Sequence, residues 1–196
     1  HHKGYANEVA YFQMPAECYY KESKGALFIV LNSDNEATAS QQIAWLDKVL
    51  TQSQYSLNFL VYHHPTVTLT DMHEWEERKT FQKGMRQIIK KHANKITSLI
   101  VGHDHAAGIF TLDGLPMILS GASWESRSIR LPIKKDPEIN AIGLWASTQR
   151  GFWWSRLDYN ALTKEVYVHF NRFDKQQDIC TFRVSPKPIA KSRSCK

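Results

Sequence analysis

Apolar runs of strand length alternate with helix-period stripes through the first hundred residues. Residues 26–31 (ALFIVL) form a continuous apolar run that ends in Asn32-Ser33-Asp34. Those short polar side chains compete for backbone hydrogen bonds and favour a loop, so the segment predicts a buried strand running into a turn. Thr38 or Ser40 can then cap a helix in which Ile43, Leu46, Val49 and Leu50 recur at spacings of three and four, giving one apolar face. The pattern repeats. Residues 57–62 are strand-like and run into His63-His64-Pro65, and residues 80–92 carry helical periodicity through Phe81, Met85, Ile88 and Ile89. Residues 97–101 are a further short apolar strand, ending in Gly102-His103-Asp104-His105. Strand, helix, strand, helix, strand predicts an α/β unit with roughly parallel central strands and functional residues at their C-terminal ends.

After residue 106 the pattern changes. Residues 108–111, 115–119, 141–146, 152–157, 166–170 and 180–184 are short strand candidates with no long helix between them. Tyr167, His169 and Asn171 alternate with Val166, Val168 and Phe170, as in a strand buried on one side. No repeat or linker divides the chain, so it reads as a single domain: an α/β part over 1–106, a mostly β part over 107–185 and a basic tail over 186–196.

With 196 residues and 42% hydrophobic residues, the chain can build one ordinary core. Its longest apolar run falls far short of the roughly 20 residues that cross a bilayer, so no membrane span is expected. The formal charge of +6 suits an anionic partner, but the excess is spread along helix-like stretches and the tail, which disfavours nucleic acid and leaves a phosphate-bearing substrate open. Cys18, Cys180 and Cys195 match no zinc-ribbon spacing. A Cys180 to Cys195 disulfide would staple the tail to the preceding strand and imply an oxidising, exported setting; three reduced thiols are the alternative. The chain opens without Met or a signal peptide, so it reads as truncated or processed, with His1-His2 either a tag remnant or native residues.

Two strand ends carry histidines, His63-His64-Pro65 and Gly102-His103-Asp104-His105. Neutral imidazole is the usual nitrogen ligand for Zn, Mn and Fe, and a loop after a strand lets two histidines at a spacing of two reach different ions. Four successive pieces, ALFIVLNSD (26–34), QIAWLDKVL (42–50), NFLVYHHP (58–65) and LIVGHDH (99–105), together with LDGLPMILSGA (112–122), resemble the calcineurin-like metallophosphoesterases, the family of purple acid phosphatases and cyclic-nucleotide phosphodiesterases. GFWWSRLDY (151–159) is similar to that family's closing strand. The resemblance implies part of a four-layer α/β/β/α sandwich whose N-terminal strands are absent.

It also implies two transition-metal ions, Mn, Fe or Zn, that hydrolyse a phosphate mono- or diester through an activated water. Carried over residue by residue, His63 and His103 would bind one ion and His105 the other, with His64 and Asp104 in supporting positions. Such a pair of ions needs a shared carboxylate, because histidines alone cannot offset two divalent charges. The family's opening DxH and GDxxD, which supply it, have no counterpart before His63. The chain thus carries the later half of the site. His1 would be the catalytic histidine of the family's GNH motif, or else belong to a tag or an unrelated loop.

Asp71, His73, Glu74 and Glu77 lie where the family has a loop near the substrate, but an acidic polar loop is ordinarily solvated. His92 is expected to be exposed, His169 to be an ordinary sheet residue, and Trp124, Trp145, Trp153 and Trp154 to pack in the β layer. A missing half-sheet would expose an apolar edge strand, so either the missing N-terminal segment or another copy is expected to cover it. The rival readings are a metallophosphoesterase-like binding domain without catalysis and a basic nucleic-acid adaptor with steep salt dependence.

Overall fold

Three parallel strands form the frame of the computed structural model, which describes residues 13–68, 73, 77–121, 129, 138–175 and 178–191. β2 (Ala26–Val30), after β1 (Tyr19–Ser23), lies beside β3 (Leu57–Val61), with Ala26 opposite Leu57 and Val30 opposite Val61. β4 (Ser98–Val101) continues the register, Phe59 opposite Ser98 and Val61 opposite Ile100. Parallel neighbours require crossovers, and helices α1 (Ala39–Gln52) and α2 (Lys79–His92) supply them. Both helices pack on one face, where Leu46, Leu50, Phe81, Met85 and Ile89 close over Leu27, Ile29, Leu60, Leu99 and Val101.

The same sheet extends outward on both sides. β5 (Ala107–Leu112) and β6 (Leu115–Ser120) form a hairpin in which β6 runs parallel beside β4, and β7 (Ala141–Ala146) pairs antiparallel with β5. The order is β1-β2-β3-β4-β6-β5-β7. The change of pattern at residue 106 therefore falls inside one sheet. Asp113 and Gly114, at φ 49° and 79°, make the two-residue turn that Asp-Gly favours.

A second, antiparallel sheet packs on the other face, in the order β11-β10-β9-β8. It contains β8 (Trp153–Asn160), β9 (Glu165–Arg172), β10 (Cys180–Ser185) and β11 (Ala190–Lys191). Val166, Val168, Phe170, Phe182 and Val184 meet Ala26, Leu57, Phe59, Ile109 and Ile118 across the interface. Tyr159 sets its ring 5.7 Å from both Phe28 and Phe59. Cys180 is disulfide-bonded to a residue outside the described ones, and Cys18 is free.

Several expectations change here. β1 is a strand that the sequence pattern does not predict; it folds back on β2 through Lys24 and Gly25, both at positive φ, and so takes the place of β2 at the edge of the sheet. Among the described residues, the eight-residue β8 forms one edge of the second sheet. The described residues form three layers, helices, sheet and sheet, and contain no fourth helical layer. The outer face of the second sheet is polar: His169 lies 2.7 Å from Asp178 and 3.1 Å from Asp158. Neither Thr38 nor Ser40 caps α1; Thr38 donates to Glu17 at 3.1 Å instead. His92 is buried, not exposed, because it turns inward to meet Asp47 at 2.6 Å on the facing helix. Trp145 and Trp153 do pack between the sheets, whereas Trp154 points outward and Trp124 lies outside the described residues.

The helices approach closely at Gly84, where an added Cβ would sit 2.6 Å from Cγ1 of Ile43. Gly84→Ala should therefore destabilise the protein by about 1–3 kcal/mol despite the better helix propensity of alanine. Urea unfolding checks this, and the loss should shrink in an Ile43→Ala background.

Candidate metal centre

Because the parallel strands are in register, the loops that follow β2, β3 and β4 emerge side by side. Backbone bonds carry the ladder past the strand ends, from Leu31 N to Val61 O (3.0 Å), Tyr62 N to Ile100 O (3.1 Å) and Gly102 N to His63 O (3.0 Å). Ser33 and Asp34, His63 and His64, and His103 are thus brought together from three separate segments. His103 adopts φ 65°, a left-handed conformation that costs a non-glycine residue free energy and persists only where the surroundings enforce it. Gly121 makes room for that loop: a Cβ there would stand 3.2 Å from both the Gly102 carbonyl carbon and the His105 nitrogen.

His63, His64 and His103 each present a nitrogen within 4.8 Å of the others'. The closest pair, His103 Nδ1 and His63 Nε2, is 3.3 Å apart. His64 is 1% exposed; its backbone N–H donates to Ser33 Oγ at 2.8 Å, and its Nδ1 lies 3.1 Å from the same oxygen. Its Nε2 is buried with no hydrogen-bond partner, 3.8 Å from Asp34 Oδ1. Asp34 in turn is 3.5 Å from Nη2 of Arg78.

On the other side of His103, its Nε2 lies 2.9 Å from Glu77 Oε2, and the second oxygen of Glu77 lies 3.0 Å from His73 Nδ1. The His73 and His103 rings touch at a tilt of 40°, with centroids 3.9 Å apart. His73, Glu77 and His103 make a second group whose ligand atoms fall within 4.8 Å of one another. Burial lowers the pKa of His64 to about 3, helped by His103, His63 and Arg78 and opposed by Glu77. Burial and then His73 lower that of His103 to about 4, against the pull of Glu77. Both imidazoles are neutral at pH 7, the form that binds a metal. A buried imidazole that carries a nitrogen without a hydrogen-bond partner, grouped with two further imidazoles, fits a cation of the Zn, Mn or Fe class.

Of the residues singled out in the sequence, His63 and His103 come together and His64 joins them. His105 is half-buried and belongs to neither group; its ring centroid is 6.4 Å from that of His73. Asp104 is buried and belongs to neither group. His1, Asp71 and Glu74 lie outside the described residues. His73 and Glu77 fall in a segment whose acidic, polar character favours a solvated loop. Their spacing of four was visible in the sequence, but nothing in it pointed the pair at His103.

No protein-family profile matches the chain, and no curated protein sequence does. Among solved structures, one described as GAP50, the anchor in the inner membrane complex of Plasmodium, superposes with a TM-score of 0.55 at 16% identity. The match covers 92% of this chain and 57% of that one. The structure of PhoD superposes with a TM-score of 0.64 at 13% identity, covering 97% of this chain and 49% of PhoD. At these identities the likeness is one of fold. The chain spans about half the length of these neighbours.

Unfolded histidines take up protons near their ordinary pKa of 6.5, whereas His64 and His103 resist protonation until about 3 and about 4. Below pH 6.5 the unfolded state therefore binds more protons. The metal-free protein should lose stability progressively as pH falls from 6.5 toward 4, a trend measurable by urea unfolding at several pH values.

Proposed function

We propose that this chain belongs to a metal-dependent hydrolase of phosphate esters, with His63 and His103 at the centre and the histidine loops forming the floor of the substrate site. The observation that carries this reading is the convergence of three imidazoles from two strand ends, one of them buried with an orphaned nitrogen. The motif resemblance and the fold likeness to PhoD point the same way.

A bound transition-metal ion would supply Lewis acidity at a phosphoryl oxygen and lower the pKa of water. The chain's own contribution is placement and charge. Neutral imidazoles hold the cation without contending protons, and Pro65 fixes the turn that aims His63 and His64. Arg78, held by Asp34 at 3.5 Å, places a guanidinium beside His64 where it can meet an anionic phosphate. Asp34 and Glu77 offset part of the positive charge.

A second reading, a binding domain that keeps the fold without hydrolysis, is favoured by the likeness to GAP50, a protein described as an anchor. Under either reading we infer that the edge of β8 receives a further strand from a segment outside these 196 residues. Val30, Val61 and Ile100 face the second sheet yet stay half-exposed, and Tyr159 of β8 already packs on Phe28 and Phe59, the preceding residues on the same face. A strand beside β8 would cover them. The fold neighbours, about twice as long, have residues to spare for such a strand.

The activity test uses p-nitrophenyl phosphate and bis-p-nitrophenyl phosphate with Mn or Zn, on this chain alone and on a protein extended by its upstream residues. Metal-dependent turnover that His103→Ala lowers on the order of 100-fold or more supports the hydrolase. Metal binding by the extended protein without turnover of either ester favours the binding domain. Light scattering on the chain alone checks the edge: a monomer that becomes more stable when the upstream segment is present supports the added strand, and a dimer paired through β8 overturns it.

A further inference from the structure

We propose that His64 is a third nitrogen ligand of the centre and that Glu77, braced by His73, is the positioning carboxylate that orients His103 toward it. The inference rests on the metal-centred reading above, but reaches residues which that reading does not require. It starts from what each group can donate. An ionised carboxylate only accepts, so the ring nitrogens facing Glu77 must carry hydrogen: Nε2 of His103 at 2.9 Å and Nδ1 of His73 at 3.0 Å.

A neutral His103 with its proton on Nε2 has a lone pair on Nδ1, the nitrogen 3.3 Å from His63 Nε2. Without a cation, a shared proton bridges that pair. With one, the separation suits two ligands of a tetrahedral ion, because metal–nitrogen bonds of about 2.0–2.1 Å space adjacent nitrogens by about 3.3 Å. Glu77 thus selects the tautomer that can ligate, and its charge raises the donor strength of the ring. His73 occupies its other oxygen and lies tilted against the His103 ring, so the carboxylate is held from two directions.

His64 is prepared in a parallel way by a neutral partner. Ser33 Oγ already accepts the His64 backbone N–H, and its second lone pair can accept Nδ1–H at 3.1 Å. That tautomer leaves a lone pair on Nε2, the buried nitrogen with no partner. An unsatisfied buried polar atom is destabilising unless something meets it, and a cation shared with His63 and His103 would do so. Glu77 and Asp34 supply negative charge on two sides of the cluster, which offsets the nearby Arg78. His105 has no place in this set; its only ring contact among these histidines is with His73, at 6.4 Å.

Zn affinity, measured by competition with a chromophoric chelator, tests the assignment without reference to catalysis. His64→Gln, which keeps much of the side-chain volume, should weaken Zn binding by about 100-fold, and Glu77→Gln by about 10- to 100-fold. His105→Ala and the distant His169→Ala should bind as the parent protein does. Circular dichroism melts confirm that each variant folds. Long-range proton–nitrogen NMR adds a readout that a merely structural role would not move: His103 should be protonated on Nε2 in the parent and become a tautomer mixture in Glu77→Gln. The assignment is overturned if His64→Gln and Glu77→Gln bind Zn normally, if His105→Ala loses as much affinity as His103→Ala, or if the parent chain binds no Zn. Tight Zn binding with the expected losses but no ester turnover by the extended protein would retire the hydrolase reading and leave this assignment standing.

Discussion

The in-register parallel ladder of β2, β3 and β4 is the constraint on which the rest depends. Parallel strands aligned residue for residue end at the same level, so the loops that leave them are neighbours whatever their sequences. Here the ladder runs on past the strands, through Leu31 to Val61, Tyr62 to Ile100 and Gly102 to His63. The last of these bonds ties one histidine loop to the other. With the two backbones fixed, Gly121 close behind them and His103 held at positive φ, the imidazoles converge with little freedom left. Two crossover helices pinned together at Gly84 and Ile43 keep the strands in that alignment.

Convergence brings an electrostatic consequence. Crowded imidazoles cannot all take protons where water is excluded, so burial and mutual repulsion keep His64 and His103 neutral. Neutral imidazoles are poor partners for one another unless a proton or a cation lies between them. Glu77 reaches in from the turn before α2, and Ser33 from the loop after β2, and each meets one of the rings. The cluster is therefore arranged more strictly than a chance meeting of surface histidines would be. The cost of burying these polar groups is met at a few named contacts.

The layers are finished unevenly. One face of the large sheet is sealed by α1 and α2, and most of the other by the second sheet, with Phe28, Phe59 and Tyr159 packed ring to ring. Toward the site end that seal thins, leaving Val30, Val61 and Ile100 half-exposed beside the long edge of β8. The polar outer face of the second sheet, built around His169, Asp158 and Asp178, is suited to solvent and gives a covering helix little to bury.

Much of this was legible in the chain itself. Period-two and period-three-and-a-half patterns are local, so strands, helices and their order followed from residues a few positions apart; α2 begins at Lys79 where periodicity placed it at 80, and β7 covers 141–146 as read. The histidine-bearing strand ends were equally local signals. What the pattern missed depends on partners distant in sequence. Tyr19–Ser23 is mostly polar and exposed, because it is an edge strand recognisable only by what it pairs with. His92 turns inward because Asp47 faces it across the helix pair. His64 and Glu77 gain their places in the histidine cluster from Ser33, 31 residues away from His64, and His103, 26 residues away from Glu77. Chemistry of residue type and short spacing is written along the chain; which polar groups are buried, and against whom, is decided only when the strands align.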